Sequence, residues 1–117
     1  MITASCHCGS TSLEVETAPS EVTDCNCSIC RRYGTLWAYY SPKQVKRPPE
    51  GTTQTYMWGD KDIAFHRCPH CGCVTHWFPV GPARDRMGIN ANLMAPEILA
   101  SAKVLYLDGA DTWQLRD

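Results

Sequence analysis

Three cysteines lie within six positions of the stretch TDCNCSICRRYG (residues 23–34): Cys25, Cys27 and Cys30. Cysteine thiolates are typical zinc ligands, and a closed structural zinc site takes four nitrogen or sulfur ligands. The stretch is therefore one ligand short of a closed site. Either the fourth ligand comes from another part of the chain, or the position is open, as it is in catalytic zinc sites.

The other five of the eight cysteines form two more clusters, Cys6-x-Cys8 and Cys68-x-x-Cys71-x-Cys73. Disulfide frameworks spread cysteines so that they tie distant segments together, whereas metal sites bunch them. The N-terminal MITASCHCG has neither the basic nor the apolar region of a secretory signal. We therefore expect a cytoplasmic protein with reduced thiols, in which these clusters bind zinc.

The two-cysteine pairs predict a first, structural zinc site. Cys6 with Cys8 and Cys68 with Cys71 supply four thiolates from two widely separated parts of the chain. Four thiolates give a Zn²⁺ centre a formal charge of about −2, which leaves it coordinatively closed and a weak Lewis acid. Such a site stabilises a fold and does no chemistry.

Four cysteines then remain: Cys25, Cys27, Cys30 and Cys73. In one interpretation the first three bind a second zinc whose fourth position is open to water or a ligand. In the other, Cys73 completes the tetrahedron and the second site is also structural. Spacing does not decide between them, because the turn around Cys71 makes the direction of Cys73 uncertain.

The charge of an open second site restricts its chemistry. Three thiolates leave Zn²⁺ with a formal charge of about −1, so this centre acidifies water less than zinc held by three neutral imidazoles. It suits a soft ligand such as a thiol, and a zinc-bound sulfur stays nucleophilic toward a carbonyl carbon. Arg31 and Arg32, directly after Cys30, either pair with the carboxylates of an anionic thiol or are solvated surface charges.

The elements that must position these cysteines are short strands. Apolar alternation and turn residues predict a mainly β, antiparallel domain over residues 1–117, with short helical turns and no long amphipathic helix. The predicted strands are 11–17, 35–41, 53–58, 63–68, 73–80, 86–93 and 103–109. The predicted helical turns are 28–34 and 95–100, and the clearest loop is 46–51.

Composition excludes two classes of partner. The 117 residues carry a net charge of −1 with an isoelectric point near 6.4, so no excess of Lys and Arg favours nucleic acid. The longest apolar runs, LWAYY and VLYL, are too short to span a bilayer. His66 and His76 lie on predicted strands, where each is either a general base near the second zinc or a packed residue.

The ordered motifs CHCG, CNCSICRRYG, RCPHCG, GINANL and LDGADTW resemble the glutathione-dependent formaldehyde-activating (GFA) family, which includes centromere-protein-V-like proteins. The resemblance implies an antiparallel β-tent fold with one structural and one catalytic zinc. The implied activity is condensation of glutathione with formaldehyde to S-(hydroxymethyl)glutathione, a carbon–sulfur lyase reaction. The implied structural ligands are Cys6, Cys8, Cys68 and Cys71, and the implied catalytic-zinc ligands are Cys25, Cys27 and Cys30. Cys73 departs from the Ser or Thr that family members often carry after the last CG.

The sequence thus predicts a zinc enzyme that activates a glutathione-like thiol for addition to a small aldehyde. Cys25, Cys27 and Cys30 would hold the catalytic zinc, and Arg31 would bind a carboxylate of the thiol. Two alternatives stay open: a non-catalytic zinc-stabilised scaffold in which Cys73 closes the second site, and a redox switch built on Cys30 and Cys73.

Overall fold

The computed structural model of the chain describes residues 1–59, 61–81 and 85–116, which form two β-sheets joined by short helical turns. The strands are β1 (Ile2–Ser5), β2 (Ser12–Val15), β3 (Glu21–Cys25), β4 (Trp37–Tyr40), β5 (Val45–Lys46), β6 (Gln54–Tyr56), β7 (Ile63–Arg67), β8 (Val74–Pro79), β9 (Met87–Asn90), β10 (Lys103–Leu107) and β11 (Leu115–Arg116). The helices are α1 (Cys30–Tyr33) and α2 (Pro96–Ser101), and 3-10 turns span Pro42–Gln44 and Ala91–Leu93. No helix in these ranges is both long and apolar enough to cross a membrane.

The smaller sheet has the strand order β1-β2-β5, and the larger has the order β11-β10-β3-β4-β9-β8-β7-β6. This confirms the predicted mainly β fold. Among the described strands one pair departs from the antiparallel pattern, since β10 runs parallel to β3 with Lys103 opposite Glu21 and Leu107 opposite Cys25. The last long strand, β10, therefore ends beside the three-cysteine cluster.

The predicted strands are recovered with shorter bounds, and α2 begins and ends one residue later than the predicted helical turn 95–100. The strands β1, β3, β5 and β11 were not predicted. β3 runs directly into Cys25, so the sequence leading to the cysteine cluster is strand and not turn. The predicted strand 86–93 ends at Asn90, whose side chain accepts a hydrogen bond from the Asn92 N–H and begins a 3-10 turn. The predicted helical turn 28–34 is α1, which ends at Gly34 in the left-handed conformation (φ 67°).

The buried side chains form two clusters. One is aliphatic, with Leu13 and Val15 from the smaller sheet packed against Val22, Met87 and Ile89 of the larger sheet. The other packs the sulfur-bearing and aromatic side chains of Cys25, Cys27, Cys30, Trp37, Phe65 and Trp77 together. The three-cysteine cluster therefore belongs to an aromatic core of its own.

Candidate metal centres and active-site cavity

Turns at the ends of β1 and β7 bring the two cysteine pairs together. Cys6 and Cys8 follow β1, and Cys68 and Cys71 bracket the turn that leads from β7 to β8. The four sulfur atoms lie within 4.8 Å of one another, and Cys8 Sγ is 3.6 Å from the sulfurs of both Cys6 and Cys68. Tetrahedral zinc with Zn–S bonds of about 2.3 Å requires S···S distances of about 3.8 Å. The cluster fits a closed zinc site.

Hydrogen bonds favour the thiolate form of Cys68 and Cys71, whereas burial and the neighbouring thiols raise the pKa of Cys8. The Ser10 hydroxyl lies 3.1 Å from the sulfurs of both Cys8 and Cys68, and the Thr11 N–H donates to Cys6 Sγ. The Ser10 hydroxyl and then the Cys71 N–H lower the pKa of Cys68 to about 4, and the Cys73 N–H lowers the pKa of Cys71 to about 7. The site is thus electrostatically prepared for a cation.

The second cluster lies where β3 ends and α1 begins. Cys25 is the last residue of β3, Cys27 lies in the following turn and Cys30 opens α1. All three are buried, with exposures of 5, 9 and 8%, and their sulfurs lie within 4.8 Å of one another. No fourth Cys, His, Asp or Glu of residues 1–59, 61–81 and 85–116 joins this group. Three sulfur donors at this spacing fit a zinc ion with one open position.

Neighbouring donors also stabilise negative charge on these sulfurs. Trp37 Nε1–H donates to Cys30 Sγ at 3.3 Å, and the Cys30 N–H donates to Cys27 Sγ at 3.4 Å. The Cys30 thiol, together with backbone N–H groups that include that of Gly109, lowers the pKa of Cys25 to about 6. The same contact with Cys25 raises the pKa of Cys30. In the metal-free cluster the Cys25 thiol therefore ionises more readily than the Cys30 thiol.

The loop after β10 completes the wall behind Cys25. A Cβ atom on Gly109 would lie 2.5 Å from Cys25 Sγ and 3.2 Å from Cys27 Cβ, so only glycine fits. Asn26 fixes the loop, because its Nδ2 donates to Asp108 Oδ1 and its Oδ1 accepts from the Ala110 N–H, each at 3.0 Å. In the sequence, the glycine of LDGAD was the signal for this close approach.

A cavity of about 910 Å³ opens over the three cysteines. All four tryptophans of the chain line it. Its aromatic walls are Trp37, Tyr39, Trp58, Phe65, Trp77 and Trp113. Arg31 lies at the cavity, as the predicted carboxylate-binding role requires, and so does Arg86, which the sequence did not single out. The Arg86 guanidinium stacks 3.7 Å from the centre of the Tyr39 ring.

Cys73 belongs to neither group of sulfurs. Its thiol contacts the Cys71 side chain and the His7 backbone, on the side of the four-cysteine cluster. His66 and His76 line a different cavity, so of the two alternatives that the sequence left open the structure favours packed residues over general bases near the second metal. Alternation along β7 and β8 explains this, because Phe65 and Trp77 face the three cysteines while the histidines face the opposite way.

The comparisons define the class of protein. The family model for the glutathione-dependent formaldehyde-activating enzyme (GFA) matches residues 1–106, and the chain belongs to this family. A crystal structure of a Rhodobacter sphaeroides protein is similar, with a TM-score of 0.69 and 24% sequence identity over 87% of this chain and 98% of that one. That likeness shows a shared fold. A search of curated protein sequences finds no match.

Proposed function

We propose that the chain is a single-domain cytoplasmic zinc enzyme that adds a small thiol, glutathione or a similar one, to a small aldehyde such as formaldehyde. The observation that carries the proposal is the buried group of three sulfurs opening into a 910 Å³ cavity, with no fourth ligand among the described residues. Family membership supports the choice of glutathione and formaldehyde.

Cys25, Cys27 and Cys30 would hold the catalytic zinc, and Cys6, Cys8, Cys68 and Cys71 a structural one. Zinc held there would act as a Lewis acid and lower the pKa of an incoming thiol, so that the thiol would react as a thiolate at neutral pH. Trp37 and Gly109 position the protein sulfurs by donating hydrogen bonds to Cys30 and Cys25. We place Cys73 outside the second site, because its contacts lie with the first.

The cavity matches the charges of glutathione, which has two carboxylates and one ammonium group. Arg31 and Arg86 supply two cations, and Asp62, which also lines the cavity, supplies an anion. The buried aromatic side chains Trp37, Phe65 and Trp77 limit the access of water to the inner end of the cavity, which strengthens these interactions. The C–S bond forms while the carbonyl oxygen takes up the proton that the thiol releases, so the reaction needs no oxidant or further reactant.

The test is the rate of exchange between formaldehyde and its glutathione adduct, measured by exchange NMR with and without the zinc-loaded protein. We expect acceleration above the spontaneous rate. Cys27→Ser should abolish the acceleration and release one zinc equivalent, while the matched Cys73→Ser variant keeps both. An unaccelerated rate with fully loaded wild-type protein would refute the proposed activity and favour a zinc-stabilised scaffold.

A further inference from the structure

Tyr39 lies on the wall between the three-cysteine cavity and a second cavity. The second cavity has a volume of about 500 Å³, and Tyr39, Arg86 and Leu107 line both. Tyr39 is half-buried and lies on β4 two residues after Trp37, so the two side chains are on the same face of the strand. Because Trp37 donates to Cys30 Sγ on that face, Tyr39 lies on the side of the sheet that carries the three sulfurs.

The Tyr39 ring is held at its face and at its edge. The Arg86 guanidinium carbon stacks 3.7 Å from the ring centre, and Trp77 packs against the ring in a T-shaped arrangement with centroids 6.1 Å apart. Gly88 lies opposite Tyr39 in the pairing of β4 with β9, and a Cβ atom there would clash with the Trp77 indole. These contacts fix the direction of the phenol, as preorganisation of a catalytic group requires.

The Tyr39 hydroxyl forms a hydrogen bond with the Thr23 side chain of the neighbouring strand β3. Thr23 is 7% exposed and lines the second cavity. Thr23 and Cys25 share a face of β3, so about 6.6 Å separates them along the strand. A carbonyl compound poised for attack spans about 7 Å from the attacking sulfur to a hydroxyl oxygen bonded to its oxygen. The separation therefore suits a small aldehyde lying between the sulfurs and Tyr39.

The addition of a thiol to an aldehyde requires a proton donor, because the aldehyde oxygen becomes an alkoxide as the C–S bond forms. Of the side-chain types that commonly act as general acids, the described lining residues besides the cysteines are Asp62 and Tyr39. Asp62 is exposed and serves as the anion for an ammonium group in the proposed function. A phenol gives its proton readily to an alkoxide, since the alkoxide is the stronger base. Tyr39 is therefore the better candidate.

The surroundings of Tyr39 suit both states of an acid. Burial raises the pKa of Tyr39, so the phenol is protonated at neutral pH and available as a donor. The positive charge of Arg86 over the ring acts in the opposite direction and stabilises the negative charge left when the proton is given up. The hydrogen bond from Thr23 stabilises the same phenolate oxygen.

We propose that Tyr39 is the general acid that protonates the aldehyde oxygen, a role that rests on the proposed function above. As the thiolate sulfur forms the C–S bond, the π electrons of the carbonyl group move to its oxygen, which takes the Tyr39 proton. The phenolate then recovers a proton from water through the Thr23 hydroxyl, which lines the second cavity. That proton replaces the one that the thiol released, so atoms and charge balance without an oxidant or reductant.

The first test is the kinetics of Tyr39→Phe in the zinc-loaded full chain, measured by exchange NMR at varied glutathione concentration. The variant keeps the ring between Arg86 and Trp77, so kcat should fall about 100-fold or more while the KM for glutathione and the zinc content stay unchanged. Tyr40→Phe is the matched control, because it removes a hydroxyl that donates to the Thr17 carbonyl oxygen on the other face of β4, and it should keep the wild-type kcat.

The two variants separate this role from the activity itself. Acceleration by the wild type that Tyr39→Phe retains in full would overturn the role of Tyr39 alone. Equal losses in Tyr39→Phe and Tyr40→Phe would mean a structural effect and would also overturn it. An unaccelerated wild-type rate refutes the proposed function, and this role with it.

A second readout does not depend on turnover. Formamide carries a small carbonyl group that thiols do not attack, and it is added to the zinc-loaded chain in the presence of glutathione, with the tyrosines labelled with ¹³C at Cζ. We expect a saturable shift of the Tyr39 resonance, assigned by its absence from Tyr39→Phe, and none at Tyr40. A Tyr39 resonance that stays fixed, or that moves no more than that of Tyr40, would contradict the proposal.

Discussion

Gly109→Ala should damage the three-cysteine site selectively. The added Cβ would lie 2.5 Å from Cys25 Sγ, against an ordinary contact of about 3.5–4.0 Å, so the loop or the sulfur must move by about 1.0–1.5 Å. Overpacking of this kind costs about 1–3 kcal/mol, which corresponds to a loss of about 5–150-fold in metal affinity if it falls on the site. Weakening the Gly109 N–H hydrogen bond also raises the pKa of Cys25, in the same unfavourable direction.

The assay is titration of the metal-free chain with Co²⁺, whose thiolate charge-transfer bands report metal–sulfur bonding, and then competition with zinc. We expect Gly109→Ala to retain metal at the four-cysteine cluster and to bind the second equivalent more weakly. Gly81→Ala is the matched control, because a Cβ there meets nothing within 4 Å and its φ is not positive. A second equivalent bound by Gly109→Ala with the wild-type affinity would refute the reasoning.

Three further predictions follow from the hydrogen bonds and burial. Trp37→Phe keeps a ring but removes the donor to Cys30 Sγ, so second-site Co²⁺ affinity should fall by about 1.5–3 kcal/mol; an unchanged titration would contradict this. Ser10→Ala should raise the pKa of Cys68 from about 4, so that zinc leaves the first cluster at a higher pH, measured with a chromophoric chelator. Burial lowers the pKa of His76 to about 3. Below about pH 6.5 the unfolded chain therefore binds a proton at this histidine that the folded chain does not bind. Folding stability should therefore fall by about 2 kcal/mol between pH 7 and 5, and by less in His76→Gln, as measured by denaturant unfolding.

The cysteine clusters could be predicted from the sequence because the spacing of metal ligands is a local property. Thiols separated by one or two residues can reach one ion, as in Cys6-x-Cys8 and Cys68-x-x-Cys71, although Cys73 shows that such spacing does not by itself bring a thiol into the group. Alternation likewise predicted the mainly β class. The parallel pairing of β3 and β10 could not be predicted in this way, since alternation reports the two faces of a strand and not its neighbour.

The same limit explains the residues that sequence reasoning missed at the site. Gly109 and Arg86 reach the cavity through strand order, and Trp37 bonds Cys30 because β4 lies beside β3. The sequence likewise left two alternatives open for His66 and His76, because alternation gives the two faces of β7 and β8 without showing which face meets the three cysteines.

The return of β10 to β3 sets an order of events during synthesis. A chain growing from its N-terminus has all four cysteines of the first cluster once Cys71 is made. The wall behind Cys25 is absent until Gly109 has been added and β10 has docked. A nascent chain therefore passes through a stage at which it has all four cysteines of the first cluster while Cys25 still lacks the wall that Gly109 provides.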